Sequence, residues 1–177
     1  MAAKAGKGTI AIEVEPAEFR NLLRLLGSLP KESQDEIRTK ALALSQRFAG
    51  QLLQFAQSSP TPQAVKVAES ISPKRDRLIR VDVGGPKKVG RKWGGEKRKS
   101  GSVVKQQSAS AGALLWGSEF GSHRGTDKSG RAYTDRFKAP YRKSGYWINP
   151  AMDYYIPIIA REYSQMVQDV AKKAGLD

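Results

Sequence analysis

The chain has no cysteine and a single histidine, His123, among its 177 residues. The first absence excludes disulfides, thiolate metal sites and a cysteine nucleophile. The second leaves carboxylates as the main zinc donors, and neither an H-x-x-x-H nor a D-x-D-x-D-G spacing occurs. Long apolar runs are missing too. No stretch of about 18 apolar residues offers a transmembrane helix, and Met1–Gly8 lacks the apolar core of a secretion signal. The phosphate-loop pattern G-x-x-x-x-G-K-[ST] and a helix-opening G-x-G-x-x-G are also absent; Gly84-Gly85 and Gly94-Gly95 bear only a loose likeness to such loops. His123 lies between Ser122 and Arg124 with no positioned partner of the kind a general base needs, and reads as a surface residue. Glu119 is the one acid in residues 106–121 and has no second carboxylate at a suitable spacing. It reads as a bend or interface residue. These gaps lead to the expectation that the chain is not an enzyme and takes no metal or cofactor.

What the sequence has in excess is positive charge, +14 in all. Residues 74–105 hold 12 Lys/Arg against 3 Asp/Glu, and residues 122–145 hold 7 against 2, while the rest balances at 12 against 12. A neutral scaffold therefore carries two basic arms. In the first arm, Lys87, Lys88, Arg91, Lys92, Trp93, Lys97, Arg98 and Lys99 interleave cations with an aromatic side chain. That pattern suits contact with DNA or with an acidic partner. The second arm has Tyr133, Phe137 and Tyr141 four residues apart, the spacing of a short docking helix.

Apolar periodicity supplies the scaffold. Ile10, Ile12 and Val14 alternate over Thr9–Val14, a short strand. Pro16 suits the first turn of a helix that carries Phe19, Leu22, Leu23 and Leu26 on one side and stops near Gly27. A long helix follows over about 31–57, with Ile37, Ala41, Leu44, Phe48, Leu52 and Phe55 in one stripe, widened by Leu42, Ala49, Leu53 and Ala56. Ser33-Gln34-Asp35-Glu36 fits a capping box at its start, and Pro30 offers an earlier one. So wide a stripe on so long a helix points to burial on more than one side, including against a partner subunit.

Residues 77–83 read as a strand with Leu78, Ile79, Val81 and Val83 inward, ended by Gly84-Gly85-Pro86. Residues 86–110 are rich in Gly, Ser, Lys and Gln and read as a mobile loop. Ala113–Phe120 reads as another strand. The last helix is expected to start at Asn149 as N-cap and Pro150 as first helical residue, with Met152, Ile156, Ile159, Tyr163, Met166 and Val170 as its apolar stripe and Pro157 inside it. Trp116, Tyr146 and Trp147 are expected as core or interface aromatics. The expected fold is α+β: a small antiparallel β-sheet packed with a long central helix and a C-terminal helix, and two long basic loops. Residues 1–8 are expected to be a flexible tail, and 9–174 a single domain with its arms at about 85–108 and 122–145.

Several of these pieces together resemble the neck, or head–tail joining, proteins of long-tailed phages (the tail-completion type of minor structural protein). The resemblance rests on the order strand, helix, Leu29-Pro30 break and long helix, followed by the Ala/Pro-rich turn Ala56-Gln57-Ser58-Ser59-Pro60. Val67-Ala68-Glu69-Ser70-Ile71 stands where the family has a leucine and a Ser-Ile step. Trp116-Gly117-Ser118-Glu119-Phe120-Gly121 resembles the family's aromatic–Glu–Phe–Gly segment, with a Gly-Ser insertion, and Tyr146-Trp147-Ile148-Asn149-Pro150-Ala151 resembles its aromatic and Pro-Ala start to the last helix. The long basic arms are departures from the family. So is the absence of a glycine after the Pro-rich turn.

The resemblance implies a virion structural protein of the head–tail connector, assembled in the host cytoplasm. It would form a homo-oligomeric ring, a hexamer or alternatively a dodecamer, that joins the DNA-filled capsid to the tail tube. Head-side adaptor or stopper proteins and the tail terminator or tail tube would be its partners, with DNA in the channel as a further contact and no membrane. Trp116, Glu119, Phe120, Gly121, Tyr133, Phe137, Tyr141, Tyr146, Trp147 and Pro150 are then the expected subunit or neighbour contacts. A basic lumen would slow passing DNA, so docking on protein is the preferred use of most arm charge. The rival readings are a tail terminator and a basic nucleic-acid-binding protein outside the virion.

Overall fold

A computed structural model describes residues 9–13, 26–97, 99–122, 125 and 137–175. Its elements in chain order are β1 (Thr9–Glu13), α1 (Lys31–Ser58), α2 (Gln63–Ala68), β2 (Ser72–Arg75), β3 (Ile79–Gly84), β4 (Lys88–Trp93), β5 (Gln107–Ser110), α3 (Ala111–Phe120) and α4 (Ile148–Lys173). The expected mixed fold is present, with small antiparallel sheets, a long central helix and a C-terminal helix. Residues 1–8 and most of the helix expected after Pro16 lie outside the described residues; residues 26–28 are helical.

The first sheet has the order β1–β3–β2, antiparallel throughout. Ile10 pairs with Val83 and Ile12 with Val81. The alternation in β3 places Ile79, Val81 and Val83 in the core, as a half-buried strand requires. Leu78 lies just ahead of the strand and packs against the core while partly exposed.

Helix α1, 28 residues long, lies across β2 and β3 and along α4. It buries Ile37, Ala41, Ser45, Phe48, Leu52 and Ala56, steps of three and four residues. Ser45 was not expected in this stripe. Its hydroxyl donates to the Ala41 carbonyl at 2.8 Å and accepts from the Arg80 N–H at 3.1 Å. The hydroxyl therefore fastens the helix to β3. Leu53, expected inside, is exposed. The capping box at Ser33 is not formed. The helix starts at Lys31 behind Pro30, whose carbonyl accepts from the Gln34 N–H, and the Gln34 side chain instead reaches back to the Leu29 carbonyl at 2.9 Å.

Helix α4 buries Ile148, Ala151, Ile159, Tyr163, Val167, Val170 and Ala171. Met152, Ile156 and Met166 are only partly covered. The Tyr163 hydroxyl donates to the Arg77 carbonyl. Burial pushes its pKa up to about 12, so it remains a donor throughout the neutral range.

Two expectations are overturned. Ala113–Phe120 is not a strand but the body of α3. Ala111, Leu114, Leu115 and Ser118 are buried at helical intervals, and the Ser110 hydroxyl caps the helix by accepting from the Ala113 N–H at 3.2 Å. Residues 86–110 are not a loose loop either. β4 and β5 pair antiparallel, with a register shift between Lys88 and Lys92, and the bridge Lys97↔Val103 extends the hairpin outward. The tie is made by backbone hydrogen bonds, which leave no apolar alternation in the sequence.

Candidate functional site

The segments Trp116–Gly121 and Tyr146–Ala151 meet at the end of α3 and the start of α4. Glu119 is only 1% exposed and reaches the N-terminus of α4. One carboxylate oxygen accepts from the Ile148 N–H at 2.7 Å and from the Trp147 N–H at 3.2 Å; the other accepts from the Asn149 N–H at 2.9 Å. These amides belong to the unpaired first turn of the helix, where the dipole also favours a negative group. The Tyr146 N–H closes on the Glu119 backbone carbonyl at 2.8 Å. Burial pushes the Glu119 carboxyl above its ordinary range, and the amides of Asn149, Ile148, Trp147 and Tyr146 oppose that shift.

This geometry corrects two expectations. Asn149 is not the N-cap: α4 begins at Ile148 behind Trp147, and the cap is a carboxylate about 30 residues earlier in the chain. Glu119 does not face a neighbour or mark a bend; it is used inside the subunit. Trp147 is likewise fully buried.

The glycines of the junction are explained by the same close approach. A Cβ on Gly145, whose φ is +74°, would stand 1.8 Å from Glu119 Oε1. Gly121, at φ +75°, ends α3, and a Cβ there would stand 2.2 Å from the Pro140 carbonyl oxygen. At Gly117 a Cβ would strike the Phe137 ring at 2.1 Å. The Ser122 N–H donates to the Ala139 carbonyl at 3.0 Å and the Arg142 N–H to the Phe120 carbonyl at 2.8 Å. Thr61, also buried, donates its hydroxyl to the Ser118 carbonyl at 2.7 Å and ties the turn after α1 to the same point.

On its outer side the junction shows aromatic rings. Trp116 is 57% exposed, so it is not a core residue. It stacks on Phe120 with centroids 5.7 Å apart and planes at 15°, and Phe120 meets Tyr141, itself 47% exposed, at 6.5 Å. The Arg142 guanidinium lies 5.6 Å from the centroid of Tyr146, whose hydroxyl donates to the Pro140 carbonyl at 2.8 Å. A ridge of three touching rings, two of them half in water, is the kind of anchor that interfaces use. Pro150 lies partly exposed in the first turn of α4. Within the second arm, residues 137–144 hold turns, bends and a bridge from Pro140 to Ser122 rather than a docking helix, and Tyr133 and His123 lie outside the described residues.

In the first arm, the Lys87 ammonium donates to the Glu69 carbonyl. Lys88, Arg91, Lys92, Lys97 and Lys99 are exposed on or beyond β4, and the Trp93 backbone pairs with Gln107. Arg98 lies outside the described residues. Among the described residues no cluster of His, Asp and Glu is arranged to hold a metal ion, and no helix is long and apolar enough to cross a membrane. No family model, curated protein or solved structure matches this chain.

Proposed function

We propose that the chain is a structural protein of a phage head–tail connector, a neck subunit that works by closing a ring and catalyses no reaction. The observation that carries this reading is the aromatic ridge Trp116–Phe120–Tyr141, mounted on the rigid junction that Glu119 builds. Two of its three rings, Trp116 and Phe120, belong to the segment through which the sequence resembles neck proteins. Its physical logic suits assembly. The carboxylate cap and close-packed glycines hold α3 and α4 at one angle, so rings exposed on that frame meet a neighbour already in position. A head-to-tail contact of this kind, repeated around an axis, closes into a ring. The exposed Tyr154 and Ile158, one turn apart on α4, offer a second apolar surface for the opposite side of such a contact.

The decisive experiment is electron microscopy of lysates from a phage with a stop codon early in this reading frame. DNA-filled heads beside separate tails of normal length are the expected result. Tails of abnormal length would move the protein to the terminator position. Intact infectious particles would overturn the structural reading. At the molecular level, Trp116→Ala is expected to leave the fold intact and abolish rings in native mass spectrometry.

A further inference from the structure

The β4–β5 hairpin holds a feature that a ring contact does not use. An open groove of about 470 Å³ runs along it, lined by Lys88, Lys92, Lys105, Gln106, Gln107 and Ser108. We propose that this groove binds the phosphate backbone of nucleic acid without regard to base sequence.

Three observations support the assignment. First, every described lining residue carries a polar side chain, and none of these is a carboxylate. Protein partners usually anchor on aromatic and apolar groups, and lysine is depleted where they meet. A phosphate chain needs the opposite: several mobile cations and neutral donors along an open track.

Second, the cations are uncommitted. Lys88, Lys92 and Lys105 form no ion pair among the described residues, unlike Lys40, Lys66, Lys74 and Lys173, which face carboxylates at 2.7 to 3.8 Å. Residues 87–105 contain eight Lys/Arg and one acid, Glu96, so the surroundings add to the same potential.

Third, the backbone is shaped for it. Lys88 and Lys92 stand four residues apart on β4, an even spacing that puts both on one groove, and the register of the hairpin shifts between them. Gly90 lies between them. A Cβ there would stand 2.7 Å from that of Ala109, so only glycine lets the two strands close at this point. The Ser108 hydroxyl donates to the Gly90 carbonyl and pins the irregular segment.

This inference does not rest on the ring reading, because the groove belongs to one subunit. The test is fluorescence anisotropy of the full chain with labelled oligo-dT of about 20 nucleotides, a scrambled duplex of similar length, and poly-glutamate as an acidic polypeptide. Three phosphate contacts predict that affinity for single strands falls roughly 20-fold between about 50 and 200 mM salt, and more steeply for duplex. Reversing Lys88, Lys92 and Lys105 to Glu is expected to weaken binding by more than about 100-fold, and the neutral triple alanine variant by at least about tenfold. Reversing Lys31, Lys143 and Lys172 changes net charge equally and is expected to have a much smaller effect.

Absence of binding would overturn the proposal, as would equal losses in the two reversed variants. Poly-glutamate bound as tightly as DNA, with the same dependence on the three lysines, would replace it with an acidic protein partner. Native mass spectrometry on the same samples reports ring formation separately, so either idea stands or falls alone.

Discussion

The α3–α4 junction and the β4–β5 hairpin use ionised groups in opposite ways. At the junction a single carboxylate is buried, and three backbone amides use both its oxygens. On the hairpin, lysines line an open groove with no carboxylate partner among the described residues. The first arrangement turns charge into geometry: a group satisfied internally costs too much to release, so it holds two helices in one relation. The second leaves its charge available to something outside the chain. The apolar surface follows the same division. Rings stack at the junction, whereas none of the described residues lining the hairpin groove carries one.

The sharpest way to break this contrast is to remove the buried carboxylate. Glu119→Ala leaves three amides at the start of α4 without an acceptor, in a site that water does not easily reach. Each such loss costs about 1–3 kcal/mol, so a total of at least about 3 kcal/mol is expected. Urea unfolding checks it. A loss below about 1 kcal/mol would mean that the amides find other partners and that the junction does not depend on Glu119.

A finer test uses pH. Burial holds the Glu119 carboxyl above its ordinary range, so the folded chain binds that proton more tightly than the unfolded chain does. The stability this group contributes is therefore fully present below its ordinary pKa and is lost as pH rises from that value through the raised one. The advantage of the wild type over Glu119→Gln should shrink as pH rises above the ordinary carboxylate range. An advantage that grows as pH rises would mean that the amides outweigh burial and hold the carboxyl down. Glu36 has the opposite sign. The Lys40 side chain holds its pKa low, so its contribution appears above the ordinary value and fades as pH falls, but the group lies at the solvent-screened surface. The comparison with Glu119→Gln isolates the buried group from this background.

Sequence reading succeeded where burial is periodic and local. Ile37, Ala41, Phe48 and Leu52 marked α1, and Ile79, Val81 and Val83 marked β3, because one face of each element packs on the core. It failed at α3 because Leu114-Leu115-Trp116 is a dense apolar run, and Gly112 and Gly117 are poor helix formers. The helical period was nonetheless present in Ala111, Leu114, Leu115 and Ser118, hidden by a serine in a core position. The cap on α4 was out of local reach. Asn149-Pro150 is a sound local start signal, and what displaced it is a carboxylate brought in by the fold. The hairpin was hidden for another reason. Lysine and glycine are poor strand formers, and their pairing rests on backbone bonds that leave no trace in side-chain pattern. Of the candidate site, the two segments were legible. That they meet on Glu119, and that the rings face outward, was not.

The smallest expected effect is the most informative about the hairpin. If Lys88, Lys92 and Lys105 are held ready for an external ligand, they do little for the fold. Their ammonium groups have no described carboxylate partner, so alanine at all three positions removes no ion pair and relieves some mutual repulsion. Stability should change by no more than about 0.5 kcal/mol in either direction. Urea midpoints of the triple variant and the wild type, compared at low salt where surface electrostatics are strongest, measure this directly. A loss above about 1 kcal/mol would show that the aliphatic stems of these lysines pack β4 onto β5. The hairpin would then resemble the junction, with its polar residues used to hold the chain together, and the division of labour between the two regions would disappear.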